Sequence, residues 1–255
     1  MSMKDFRSPI ESMHVRRQAG QSAQAKADEL CNEHALRTVM PVVIVLLAWL
    51  CSFAGTWGWL CMLITAILYS VWGWSRRQKE ICHWQRGADG ERCVGQILDR
   101  EMPQLGYKVY HDIQVKKNKR KMNIDHLVVG SNGVFLIEDK TWSKPLKGQT
   151  VIRCDGTYIY REDMPGKRYS KPVTEAFALA KEANAYLRSL TGESYPVKPV
   201  LVFVGWYNYA DNRNDSPILV LNERALSSFI PKHRLSSSVD LRSLTLLTTK
   251  LDMVA

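Results

Sequence analysis

Several signals that would assign a class at once are missing. The six cysteines, Cys31, Cys51, Cys61, Cys82, Cys93 and Cys154, include no CxxC pair, and two of them lie inside a long apolar run. That spacing gives neither a zinc ribbon nor a disulfide framework, and it suits a reducing compartment. No Ser–His–Asp arrangement, glycine-rich phosphate loop or redox motif is present, and His83, His111 and Asp112 form no recognisable catalytic set. Internal repeats and low-complexity tracts are also absent. The most informative absence is of charge: no Asp, Glu, Lys or Arg occurs between Val39 and Trp74.

As one helix that block would be about 54 Å long, well beyond the ~30 Å of a hydrocarbon core. Ala54-Gly55-Thr56-Trp57-Gly58 offers a break that divides it into two spans of roughly 18 residues, near the lower end of the workable range. The expectation is a transmembrane helical hairpin over 39–74, with Trp49, Trp57, Trp59, Trp72 and Trp74 supplying interfacial aromatics. Arg37 on one flank and Arg76, Arg77 and Lys79 on the other place both termini in the cytoplasm, as at a bacterial inner membrane. The run starts too late and is too long for a cleaved signal peptide. Residues 1–38 are polar, with a short helix expected over Ala23–Leu36, and are read as peripheral and without chemistry.

The formal charge is +10, from 35 Lys and Arg against 25 Asp and Glu. Most of the excess follows Trp74, so that segment should attract a polyanion, either nucleic acid or an anionic lipid surface. Residues 75–86 form a basic connector, and 87–255 read as a mixed α/β domain with helices flanking one sheet. Gly90–Met102 has helical spacing and ends at Pro103. Tyr107–Val115, Asn123–Gly130 and Val134–Asp139 read as strands, the last two joined by Ser131-Asn132-Gly133. A hairpin turning at Asp155-Gly156, a helix over Val173–Leu190, a buried strand over Pro199–Gly205, a polar loop through Asp215, a strand over Ile218–Leu221 and a short helix after Asn222 complete the domain.

Acids inside apolar strands stand out. Asp125 lies in Asn-Ile-Asp-His-Leu-Val-Val, and Glu138 ends Val-Phe-Leu-Ile-Glu-Asp-Lys. Glu138 and Lys140 share a face by strand periodicity. If Asn132-Gly133 is a two-residue turn, Asp125 pairs with Lys140 and lies diagonal to Glu138, within about 7–8 Å. A three-residue loop without a bulge puts the two acids on opposite faces. Two carboxylates and a lysine on one partly buried face suit phosphodiester hydrolysis with a hard cation, Mg²⁺ or Mn²⁺. The same residues also allow a plain Asp125–Lys140 ion pair.

Gly87-Ala88-Asp89-Gly90-Glu91, then Asn123-Ile124-Asp125-His126-Leu127-Val128-Val129, then Gly133-Val134-Phe135-Leu136-Ile137-Glu138-Asp139-Lys140, together resemble the nuclease-related domain, NERD. That family is grouped with the PD-(D/E)xK, restriction-endonuclease-like folds. The resemblance spans about Arg86–Gly205 and implies a mixed sheet flanked by helices, with a core over 87–205. It also implies that Asp125, Glu138 and Glu91 hold the metal and that Lys140 is the lysine of the Glu-x-Lys element. The Asp139 carbonyl would face the metal, its side chain turned away. An amide-bearing pattern expected at the next helix is replaced here by Lys171 and Glu175 in Ser170-Lys171-Pro172-Val173-Thr174-Glu175.

Lys116, Lys117, Lys119, Arg120 and Lys121 form the densest basic run, just before the Asp125 strand, where phosphate contacts would be independent of sequence. His126 should face away from Asp125, in packing or at the surface. Tyr158, Tyr160 and Tyr169 are candidates for base stacking or for ordinary strand packing. The expectation is a membrane-anchored, cytoplasm-facing, metal-dependent nuclease acting on DNA. The alternative is a non-catalytic nucleic-acid-binding or scaffolding module of the same fold.

Overall fold

The computed structural model describes residues 17–50, 56–117, 120–145, 147, 150–210, 212, 216–233 and 239–254, with backbone only at a few of these. They form two compact units. One is Gln21–Ala88; the other contains Asp89–Ala255 together with residues 17–20.

In the first unit, α1 runs Gln21–Leu50, and α2 (Thr56–Glu101) begins in this unit and ends in the other. The polar stretch expected to hold a short helix is continuous with the apolar run. Gln21–Trp49 is long and apolar enough to cross a membrane by length and composition, and only 6% of its most apolar window is buried. The hydroxyl of Ser70 donates to the Thr38 carbonyl at 2.8 Å, and the His34 and Trp74 rings meet 6.4 Å apart. The expectation of two transmembrane helices is corrected to one candidate among the described residues. The second apolar run starts a 46-residue helix that continues through Arg77, Lys79 and Glu80. Most of the expected break, residues 51–55, lies outside the described residues.

The larger unit holds two mixed sheets, where one was expected. In the first, β1 (Lys108–Lys117), β2 (Arg120–Gly130) and β3 (Gly133–Lys140) are antiparallel. The second sheet opens with β4 (Val151–Cys154), β5 (Ile159–Arg161) and β6 (Arg168–Tyr169). After α3 (Lys171–Thr191), β7 (Val197–Phe203) runs parallel to β3 in the first sheet. Then β8 (Tyr207–Ala210) runs parallel to β4 in the second, and β9 (Leu219–Leu221) parallel to β7. The short α4 (Leu226–Phe229) and α5 (Leu241–Val254) finish the chain. Strand orders are β1-β2-β3-β7-β9 and β6-β5-β4-β8.

Alternation along β3 assigns the faces. Phe135 and Ile137 pack with Val94, Leu98 and Met102 of α2 and with Leu226. Val134 and Leu136 pack with Ala183 and Leu187 of α3 and with Leu247 and Leu251 of α5. Burying both faces explains why β7, Val-Lys-Pro-Val-Leu-Val-Phe, reads as a nearly continuous apolar run. A third cluster, around Ile152, Ile159, Phe203 and Trp206, packs the inner side of the second sheet.

The β2–β3 register differs from the expectation. Gly130 pairs with Gly133 and His126 with Ile137, so the turn is Ser131–Asn132 and Asp125 follows opposite Glu138, not Lys140. Gly133 has φ 136°, which a side chain would resist, and Asn132 is anchored by donating to the carbonyls of Ile230 and His233. The register moves by two residues, so the alternation of faces is kept.

Candidate active site

Asp125 stands one position past the last β2–β3 ladder pair, where β1 is also irregular. The β1–β2 ladder passes from His111–His126 to Ile113–Ile124, and the intervening Asp112 has φ 49° in the left-handed region. One oxygen of Asp125, Oδ2, accepts the backbone N–H of Asp139 at 3.1 Å. Burial, followed by repulsion from Glu138, Glu91 and Asp139, raises its pKa well above the ordinary carboxylate range.

Glu138 and Lys140 share the α3 face of β3. Lys140 Nζ donates to Glu138 Oε1 at 2.7 Å, both side chains being less than one-fifth exposed. Burial pushes the Glu138 pKa up, and Lys140 opposes that. Burial would lower the Lys140 pKa, but Glu138, Asp125 and Glu175 outweigh it and hold the ammonium charged. Glu175, where the sequence departs from the family pattern, lies 3.9 Å from Lys140 Nζ and 3.6 Å from Lys171 one helical turn back. The departure thus sits beside the Glu-x-Lys pair.

Glu91 comes from α2. Its pKa is pushed up to about 7, by burial first and then by Asp139, Asp112 and Glu138. Its Oε2 is buried and has no hydrogen-bond partner among the described residues. Gly90 explains how the helix comes so close: a β-carbon there would lie 1.9 Å from Thr141 Cγ2, immediately after Lys140. Asp125, Glu138, Lys140 and Glu91 are therefore brought together electrostatically at one end of the sheet.

Sequence reasoning missed the polar chain behind them. Asp139 Oδ2 bonds His126 Nε2 at 2.7 Å, His126 Nδ1 meets His111 Nδ1 at 2.7 Å, and His111 Nε2 meets Asp99 Oδ1 at 2.9 Å. His126 is fully buried, and the Asp139 side chain is turned toward it. Arg17, in the arm read as peripheral, reaches the buried Asp112 at 3.2 Å, and Ala19 sits where a Gly95 side chain would be. Polar residues repeated within apolar strands, His111-Asp112 and His126, were the available signal.

Whether these groups suit a divalent cation turns on free oxygens. Among the described residues no group of three or more His, Cys, Asp or Glu is assembled for a metal. The buried Glu91 oxygen without a partner and the crowded carboxylates fit a cation of the Mg²⁺ kind, which takes one or two carboxylates and keeps several waters. The basic run closes the β1–β2 hairpin, with Lys116 paired to Lys121 and Lys117 to Arg120. Residues 118–119 and the side chains of Lys116, Lys117, Arg120 and Lys121 lie outside the described residues.

The larger unit thus sets Asp125, Glu138 and Lys140 at adjoining strand ends of a mixed sheet. Residues 86–204 match the family model of the nuclease-related domain, NERD. No curated protein and no solved structure matches the chain.

Proposed function

We propose that this domain hydrolyses phosphodiester bonds in DNA with Mg²⁺, or Mn²⁺, held by Asp125, Glu138 and Glu91. The observation that carries the reading is the convergence of these acids with Lys140 inside a nuclease-related domain. Their pKa values are raised by burial first and by repulsion from neighbouring acids second, and a bound cation would offset both. When bound, the metal polarises the phosphate and acidifies a water. Lys140, kept charged by its acidic neighbours, neutralises charge developing on the phosphate. The Asp139 N–H fixes the Asp125 carboxylate, and the basic β1–β2 hairpin, Lys116, Lys117, Lys119, Arg120 and Lys121, contacts the DNA backbone.

The test is cleavage of DNA by the purified full chain with Mg²⁺ and with chelator. Asp125→Ala and Glu138→Ala should each lower the rate by about a hundredfold or more. Cleavage at the wild-type rate in both variants would rule the site out.

A second reading, nucleic-acid binding or scaffolding without turnover, draws on the engagement of Glu138 by Lys140 and of Asp125 by the Asp139 N–H. It calls for salt-sensitive DNA binding, lost on neutralising the basic hairpin, with no metal-dependent product.

Anchoring to a membrane through α1 is part of the proposal. An apolar helix with Ile44, Leu46 and Leu47 exposed is unlike the buried core helix of a soluble protein. Release of the full chain from membranes by carbonate would argue against it.

A further inference from the structure

The second sheet has one face in the core and one in solvent. Ile152, Ile159 and Trp206, with Cys154, Tyr169 and Ala210 beside them, form the inner side. On the outer side the ladder sets Tyr209 beside Arg153, Arg153 beside Tyr160, and Tyr160 beside Arg168. In-register neighbours share a face, so aromatic rings and guanidinium groups alternate across all four strands, a width of about 14 Å.

The row is a built surface. Arg153 lies over the Tyr209 ring at 5.4 Å and is held there by Glu162, which accepts from its Nε at 2.8 Å and its Nη2 at 2.6 Å. The Tyr160 hydroxyl donates to Asp155 at 2.6 Å, and Tyr158 lies 6.5 Å from the Tyr160 ring. Tyr207, two residues before Tyr209, extends the row. These two rings are 69% and 65% exposed, so the fold uses neither to fill its core.

Cations alternating with open aromatic rings match the chemistry of unpaired nucleotides, whose bases stack on rings while their phosphates pair with guanidinium groups. Four-stranded sheets take two or three splayed bases on a face of this kind. A duplex hides its base faces and would leave the rings unused. The surface also adjoins the candidate site through the backbone: the Val204 N–H donates to the Lys140 carbonyl at 3.2 Å, and β8 starts three residues later.

We infer that the outer face of the second sheet, centred on Tyr207, Tyr209, Arg153 and Tyr160, binds single-stranded DNA and leads it toward the Asp125–Glu138 site. The inference rests on the nuclease reading for its purpose, but it is tested without relying on cleavage. The full chain in detergent is titrated with a labelled oligothymidylate, the corresponding duplex and an oligouridylate, with binding read by anisotropy in chelator. Oligothymidylate should bind more tightly than the other two. Tyr207→Ala with Tyr209→Ala should weaken that binding roughly ten- to a hundredfold and leave duplex binding within about twofold. Tyr207→Phe with Tyr209→Phe should retain it, and an unchanged melting curve excludes misfolding.

Equal affinity of the alanine variant and wild type for oligothymidylate overturns the inference. So does preference for the duplex or for oligouridylate. If the alanine variant instead loses only retention on phosphatidylglycerol vesicles, the face contacts lipid and the inference fails. Cleavage is assayed separately. A wild-type chain that binds through the tyrosines and never cleaves removes the nuclease reading and leaves this one, whereas a chain that cleaves but whose oligothymidylate affinity is unchanged by the tyrosine substitutions does the reverse.

Discussion

Nδ1 of His111 lies 2.7 Å from Nδ1 of His126, with the two rings nearly perpendicular at 86°. One of these nitrogens must carry the hydrogen. The outer nitrogens face Asp99 and Asp139. A further proton would turn both facing nitrogens into donors and break the contact. Burial, followed by the charge of His126, lowers the His111 pKa below its ordinary 6.5, and Asp99 opposes this only in part.

The sign of the resulting pH dependence follows. Between the lowered folded value and 6.5 the unfolded state binds more protons at His111, so stability rises with pH there. The contribution is complete above 6.5 and is lost as pH falls through the folded value. Urea titrations of the chelated protein at several pH values below 7 should show this loss, and His111→Gln should flatten it. An equally steep profile in that variant would place the effect elsewhere.

His126→Ala removes the partner of the Asp139 carboxylate, which is 2% exposed and whose other oxygen, Oδ1, already lacks one among the described residues. Leaving a buried charge unpaired costs about 3–5 kcal/mol, which denaturant unfolding would register. The backbone of Asp139 holds Asp125, so DNA cleavage should fall with it. His126→Gln, which keeps a donor, should recover part of the stability.

Glu91 gives the opposite pH trend. Its folded pKa of about 7 exceeds the ordinary 4.5, so the folded state keeps the proton longer and stability falls as pH rises through that window. Glu91→Gln, neutral at every pH, should be more stable than wild type at pH 8 by on the order of 1–3 kcal/mol in chelator, and no more stable near pH 4. Adding Mg²⁺ should narrow the gap at pH 8 by stabilising wild type. A gap that metal leaves unchanged would separate Glu91 from the cation.

Much of the first sheet was legible because its strands carry their burial in the pattern: Val134–Ile137 faces two cores, and Asp125 and Glu138 are conspicuous as acids within such runs. The register was not. Asn132-Gly133 looks like the turn pair, yet Asn132 is committed to the carbonyls of Ile230 and His233, a tertiary contact with no local trace. The second sheet was only half visible. The Asp155-Gly156 hairpin could be read, but β8 is four residues long and alternates exposed tyrosines with Asn208 and Ala210, which looks like a polar loop. His111 and His126 were separated in sequence and only the ladder brings them together. Residue 17 carried no periodic signal at all, since its tie to Asp112 is a single long-range ion pair.

Gly90 shows how one local choice sets the site. In a helix interior, alanine is ordinarily more favourable than glycine by roughly 0.5–1 kcal/mol. Gly87→Ala, with nothing within 4 Å of the added carbon, should show that gain. At Gly90 the added methyl meets Thr141 Cγ2 at 1.9 Å, and a β-branched side chain on the chain leaving β3 has little freedom to yield. Gly90→Ala should therefore lose about 1–3 kcal/mol in denaturant unfolding and lower cleavage by displacing Glu91. Pairing it with Thr141→Ala removes Cγ2 and leaves Thr141 Cβ at 3.4 Å, an ordinary contact. The double variant should recover both stability and cleavage relative to Gly90→Ala. Recovery of neither would mean that the glycine serves something other than the approach of α2 to the end of β3.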